Sequence, residues 1–182
     1  MNRVTMGGLA CGLALLLLTT ACGNGLSTSG PFGSTIPASG NICAHARPGG
    51  VAYSGFEDFP NSGGTATIDK VKLAQARHLR LVTAWVLPIS NPNEGVGVGG
   101  GYPNASSVAS DAPGVLWDRR QQIPGAVVRH THGQERINLV IVAKPTGKDG
   151  TSTAVDLYYE SGGTHYLLHF PYGFEVKVAR TC

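Results

Sequence analysis

The feature that most restricts what this chain can become is a period of two. Its apolar residues recur at alternate positions in short runs, each soon cut off by glycine or proline. Side chains on an extended strand point to opposite faces in turn, so this alternation marks strands with distinct faces. Residues 79–87 (LRLVTAWVL) place Leu79, Leu81, Trp85 and Leu87 on one face. Residues 137–144 place Ile137, Leu139 and Ile141 on one face and Val140 and Val142 on the other. Both runs are rich in β-branched or aromatic residues and too short for good helices, which predicts central strands. Residues 154–159 and 165–170 flank Glu160-Ser161-Gly162-Gly163, the pattern of a β-hairpin with a glycine turn. A last strand at 174–178 turns Phe174, Val176 and Val178 inward and Glu175 and Lys177 outward, and further strands are expected at 67–73 and 126–131.

About seven short strands without an amphipathic helix predict an all-β fold, a single antiparallel, immunoglobulin-like β-sandwich spanning 42–182. That stretch is long enough to bury one proper core. Composition agrees: 26 glycines and 11 prolines accompany a charged fraction of only 14%, which suits a loop-rich domain better than a helical one. The formal charge of +3 is scattered along the chain and gives no electrostatic footprint for nucleic acid.

The N-terminus reads differently. Arg3 precedes an apolar run at 7–18 and then small residues up to Cys22, the three parts of a signal peptide over residues 1–21. The apolar run is shorter than the roughly 20 residues that span a bilayer, which argues against a permanent transmembrane anchor. Thr20-Ala21-Cys22 resembles the lipobox of bacterial lipoproteins, although Thr19 stands where that motif usually has leucine. The resemblance implies that Cys22 is acylated and that the protein is lipid-anchored on the extracytoplasmic side of a membrane. Thr19 and Ala21 also suit an ordinary signal peptidase, which would release a soluble protein.

Cys11 lies within the signal, leaving Cys22, Cys43 and Cys182, and an odd thiol in an oxidising compartment needs an explanation. If Cys22 carries lipid, Cys43 and Cys182 are left to pair, and a loop that long stabilises by about 4–5 kcal/mol on a chain-entropy account. The alternative is two unpaired or buried thiols. Residues 23–41 carry no charge and little besides Gly, Ser, Thr and Pro, the composition of a flexible linker. Signal, uncharged linker and terminal cysteine pair together resemble secreted lipoproteins of high-GC Gram-positive bacteria, a resemblance that implies no particular activity.

Histidine placement is the strongest chemical candidate. His130 and His132 share one face of an extended segment, as do His165 and His169, and four converging imidazoles would suit Zn(II) or Cu(II). Against that, Tyr166, Leu168 and Phe170 read as the core face of their strand, which turns His165 and His169 to solvent. Residues 95–101 contain a literal GxGxxG, yet the turn-forming Tyr102-Pro103-Asn104 follows it, so a surface loop is expected and no nucleotide. No GxSxG, HExxH or framed carboxylate pair occurs, and Asp118 and His130 alone define no hydrolase. Trp117 beside Arg119 and Arg120 would make a platform for a sugar or an acidic ligand. The expectation is a non-enzymatic binding module without a cofactor, contacting an envelope protein or glycan, with a histidine-based Zn or Cu protein as the alternative.

Overall fold

The computed structural model describes residues 26–33, 39–60, 63–91, 94–129, 136–179 and 181–182. Twelve strands lie among the described residues: β1 (Gly40–Ala46), β2 (Ala52–Pro60), β3 (Thr65–Ala74), β4 (Leu79–Ile89), β5 (Val98–Gly100), β6 (Gln121–Ile123), β7 (Ala126–Arg129), β8 (Arg136–Pro145), β9 (Asp149–Ser152), β10 (Ala154–Ser161), β11 (Thr164–Phe170) and β12 (Tyr172–Val178). A short helix, α1 (Ala105–Asp111), and a 3-10 turn at Trp117–Arg119 separate β5 from β6. The chain forms the all-β sandwich that the alternation predicts. It has more than seven strands: β1 and β2 lie ahead of the first expected strand, and β5, β6 and β9 are each too short to display a period.

Two antiparallel sheets form the sandwich, in the orders β11-β10-β3-β7 and β5-β2-β8-β4-β6. A third sheet, β1-β12-β9, contains the one departure from antiparallel pairing among the described strands, since β1 and β12 run parallel. That pairing lays the first strand of the domain beside its last. Cys43, in β1, is disulfide-bonded to Cys182 just beyond β12, with an S–S distance of 2.08 Å and a Cα–Cα distance of 5.8 Å. The pairing is the one the cysteine count predicts.

Central strand β8 is buried on both faces. Ile137, Leu139, Ile141 and Ala143 enter the main core with Phe56, Ile68, Leu157, Phe170 and Phe174, while Val140 faces a second, smaller core. Neighbouring β4 serves both cores in a different way. Its register against β8 slips between Leu81 and Thr83, so Val82 is an extra residue in the ladder. A bulge of this kind reverses which positions face inward. Leu79 and Leu81 therefore share the main core with Ala84 and Val86, whereas Trp85 and Leu87 turn to the opposite face. The single face expected for Leu79, Leu81, Trp85 and Leu87 is thus divided by one inserted residue.

The second core is closed by α1 and the chain after it, with Val108, Ala112 and Val115 packed against Leu87, Val96 and Val140. Asn104 caps the helix: its Oδ1 accepts from the Ser107 N–H at 3.0 Å. The segment entering this core is held by Asn138, which is 1% exposed. The Asn138 Oδ1 accepts from the Val96 N–H at 3.1 Å, and its Nδ2 donates to the carbonyl oxygen of Phe56. A buried amide satisfied at both ends fixes this crossing; left unpaired it would cost about 1–3 kcal/mol per group.

Residues 95–101, expected as a surface loop, instead supply strand β5, which pairs antiparallel with β2. An antiparallel edge strand is no part of a βαβ unit, so the GxGxxG here has no phosphate-binding context. Its glycines make room: a Cβ on Gly99 would stand 2.7 Å from the Tyr53 hydroxyl oxygen. The β10–β11 hairpin matches expectation closely. Gly162 (φ +58°) and Gly163 (φ +77°) occupy both central positions of its turn, the left-handed pair that a two-residue hairpin requires.

Within the stretch 23–41, expected as a flexible linker, the described segment 26–33 is ordered against the sandwich. It docks along β11: the Ser27 N–H donates to the His165 carbonyl at 3.1 Å, and the Leu167 N–H donates to the Ser27 carbonyl at 2.9 Å. Phe32, at 1% exposure, lies 4.3 Å (ring centroids) from Tyr159, which stacks in turn on Tyr166 at 5.1 Å. A Cβ on Gly30 would collide with the Tyr159 hydroxyl and the Tyr166 ring, so glycine is needed at that crossing. One aromatic residue outweighs the polar composition around it, because burying its ring recovers roughly 1.5–3 kcal/mol. β1 accordingly begins at Gly40, two residues before the expected start of the domain.

Phe32→Ala should lower stability in urea unfolding of the mature chain by about 3 kcal/mol, a core-sized effect; a loss under about 0.5 kcal/mol, as for a surface residue, would show that the segment is not docked. Burial raises the Tyr159 phenol above its ordinary value, with Tyr166 adding to the shift and a backbone hydrogen bond from Phe32 opposing it. The folded state therefore holds this proton more tightly than the unfolded chain. Its contribution to stability is whole below about pH 10 and is lost as pH rises through the raised value. The urea midpoint should fall above about pH 10, and less steeply in Tyr159→Phe.

Candidate functional site

The sandwich is open along one side, where β7 of one sheet comes beside β6 and β4 of the other. Gln121, in β6, bridges this opening: its Nε2 donates to the Val127 carbonyl at 2.8 Å, and its Oε1 accepts from the Val127 N–H at 2.8 Å. The side-chain amide thus stands in for a neighbouring strand and satisfies the outer backbone groups of β7. Next to it is a cleft of about 190 Å³ whose apolar walls include Leu87, Pro88, Val127 and Val128. Arg119 and Arg129 are its charged lining residues, and none of the lining residues is acidic. Both arginines are exposed on the protein surface. An apolar cavity of about 150 Å³ already accepts a benzene-sized group. The chemistry offered is therefore an apolar floor for a small hydrophobic group beside two guanidinium groups that suit a carboxylate, sulfate or phosphate.

The expected aromatic platform is arranged differently from its sequence. Arg120 lies over the Trp117 ring at 4.8 Å and donates to the Trp117 carbonyl at 3.2 Å. Trp117 also packs against Trp85, with ring centroids 6.1 Å apart, as part of the wall of the second core. Trp117 and Arg120 thus engage each other, while Arg119 turns to the cleft. The 3-10 turn at Trp117–Arg119 separates the two arginines in this way, because consecutive residues on such a turn point in different directions.

His130 and His132 lie outside the described residues. His165 and His169 share the outer face of β11, as their spacing predicts, but each meets its own carboxylate. His169 Nδ1 lies 2.6 Å from Asp156 Oδ1, its direct cross-strand partner, and His165 Nδ1 lies 3.7 Å from Asp69 Oδ2. Four residues along a strand separate the two histidines by about 13 Å. No group of three or more His, Cys, Asp or Glu side chains among the described residues is placed to hold a metal ion. A histidine oriented by an aspartate is also part of a hydrolytic triad, yet among the described residues no hydroxyl or thiol is hydrogen-bonded to His169. The pair belongs to a row of outward charges across the sheet, in which Asp156 also faces Lys72, and Lys70 and Lys72 lie 4.6 Å and 5.3 Å from the Tyr158 ring centre. Cross-strand pairs of this kind stabilise a solvated sheet face.

Cys22 lies outside the described residues, and no helix among the described residues is long and apolar enough to cross a membrane. Arg129 and Gln121 were not singled out by sequence reasoning, since a cleft between two sheet edges depends on which strands come together there. No family model matches the chain, and no curated protein resembles it significantly in sequence.

The cleft can be probed with octanoate, which combines one carboxylate with a short apolar chain. Amide resonances of Val127, Val128 and Arg129 should shift on titration, and Arg129→Ala should weaken the apparent affinity about tenfold, the effect of one charge-assisted hydrogen bond. Equal affinity in the variant would remove Arg129 from the site.

Proposed function

We propose that this chain is an exported lipoprotein held to a membrane through Cys22, and that its β-sandwich is a non-enzymatic binding module of the cell envelope. The single observation that carries this reading is the Cys43–Cys182 disulfide. With those two cysteines joined and Cys11 inside the signal, Cys22 alone is left without a partner in the exported chain. Acylation gives that sulfur a fate other than oxidation or mispairing in a disulfide-forming compartment. The lipobox-like Thr20-Ala21-Cys22 points the same way.

The binding role is supported by the Arg119–Arg129 cleft, which offers recognition without a nucleophile or base among its lining residues. Its partner on this reading is an envelope protein or glycan presenting an anionic group beside an apolar one. Cys22→Ser should move the protein from the membrane fraction to the soluble fraction and abolish incorporation of labelled fatty acid. Unchanged membrane association would overturn the reading.

A further inference from the structure

We infer that the end of the sandwich formed by the β1–β2, β3–β4 and β8–β9 loops is a docking surface for an acidic polysaccharide. In the sequence its cations are spread from Arg47 to Lys148, and the fold gathers them. The Arg77 N–H donates to the Thr151 carbonyl and the Thr146 N–H to the His78 carbonyl, each at 2.8 Å, so the loop carrying Arg77 lies against the turn carrying Lys148. Arg80 and Lys144 are direct cross-strand partners at the same end. Leu79, Leu81 and Ala143 enter the main core, so alternation turns Arg80 and Lys144 side by side onto the outer face of the sheet. Arg47 belongs to the loop before β2, whose first residue, Ala52, pairs with Ala143 and with Gly100. This end is the far one from the Arg119–Arg129 cleft: Arg129 pairs with Thr65 at the start of β3, and Arg77 follows the end of that strand.

Like charges placed directly opposite on a sheet repel and destabilise it. Among the described residues Arg47, Arg77, Arg80, Lys144 and Lys148 form no ion pair that would offset this. The carboxylates of this end are engaged elsewhere: Asp149 Oδ1 accepts from the Val178 N–H at 3.0 Å, Asp156 meets His169, and Glu175 lies 3.8 Å from Lys177. Repulsion kept in one place marks a surface whose counter-charge comes from a partner. From β5 across β2 and β8 to Arg80 in β4 is three strand spacings, roughly 14 Å. A single small anion reaches one or two such cations, so the partner's charges must recur along its length. An open hollow of about 460 Å³ at this end is lined by His45, Arg47 and the backbone of Gly100 and Gly101, and Tyr102, the next residue, is 54% exposed. A hollow beside an exposed tyrosine suits a sugar ring. The cations also turn a corner, with Arg77 and Lys148 in end loops and Arg80 and Lys144 on the sheet face, a path that a flexible chain follows and a planar membrane does not. The Cys43–Cys182 disulfide belongs to an oxidising compartment, where the polyanion met is polysaccharide and not nucleic acid.

The test is titration of the mature chain carrying Cys22→Ser with decagalacturonate, a chain of uronates, at low salt. Binding should weaken as salt rises. The double variant Arg80→Gln, Lys144→Gln should lose about tenfold or more in affinity, while its melting temperature stays level or rises because a repulsion is gone. The double variant Lys70→Gln, Lys72→Gln removes the same charge from the outer face of the other sheet and should bind as the parent chain does. Equal loss in the two double variants, no binding of decagalacturonate, or equal or tighter binding to phosphatidylglycerol vesicles or to single-stranded decathymidylate would overturn the inference. None of these outcomes touches the anchor at Cys22, which the membrane-fraction experiment decides by itself.

Discussion

Everything in this fold leans on β8 and on the amide of Asn138 within it. A strand buried on both faces must give its side chains to two cores at once, and β8 does so with aliphatic residues at Ile137 and from Leu139 to Ala143. The buried polar residue among them is Asn138, whose two polar ends hold the Val96 and Phe56 backbones. Those bonds bring the chain before β5 against β2, and this segment in turn lets α1 and the Trp117 turn close the second core. An apolar residue of similar size at 138 would fill the space but leave a buried N–H and a buried C=O without partners, and such unpaired groups are the costly kind.

Much of this was legible because period-two alternation is a property of the strand itself. The β10–β11 hairpin, the inward Phe174 and Val176 of β12 and the two-faced burial of β8 all appear where parity puts them, while Val178, at the end of β12, is only half-buried. Parity fails at Val82, where one bulged residue sends Trp85 and Leu87 to the other side of the sheet from Leu79. No local pattern announces that residue, since its insertion is decided by what lies opposite in β8. The cleft is hidden for a similar reason: Arg119, Gln121 and Arg129 come together only because β6 and β7 lie at the edges of different sheets. The helix was within reach, since Asn104 followed three residues later by Ser107 forms a capping arrangement.

Composition misled where glycine was taken as a sign of looseness. At Gly30 and Gly99 the missing Cβ admits a tyrosine side chain against the backbone, so these residues mark close contact. A segment poor in apolar residues can still be ordered when a single ring, here Phe32, finds a pocket between Tyr159 and the main core.

The disulfide at the two ends of the domain has a mechanical consequence. Tension applied to the chain ahead of the domain meets Cys43, whose sulfur passes it covalently to Cys182. The parallel pairing of β1 and β12 is spanned by that bond, so pulling from the N-terminal side cannot part the two strands beyond Cys43. The described segment 26–33, held ahead of Cys43 by non-covalent contacts alone, can yield while the sandwich stays folded. The domain is in this sense a closed loop, which resists being unravelled from the side of its first strand.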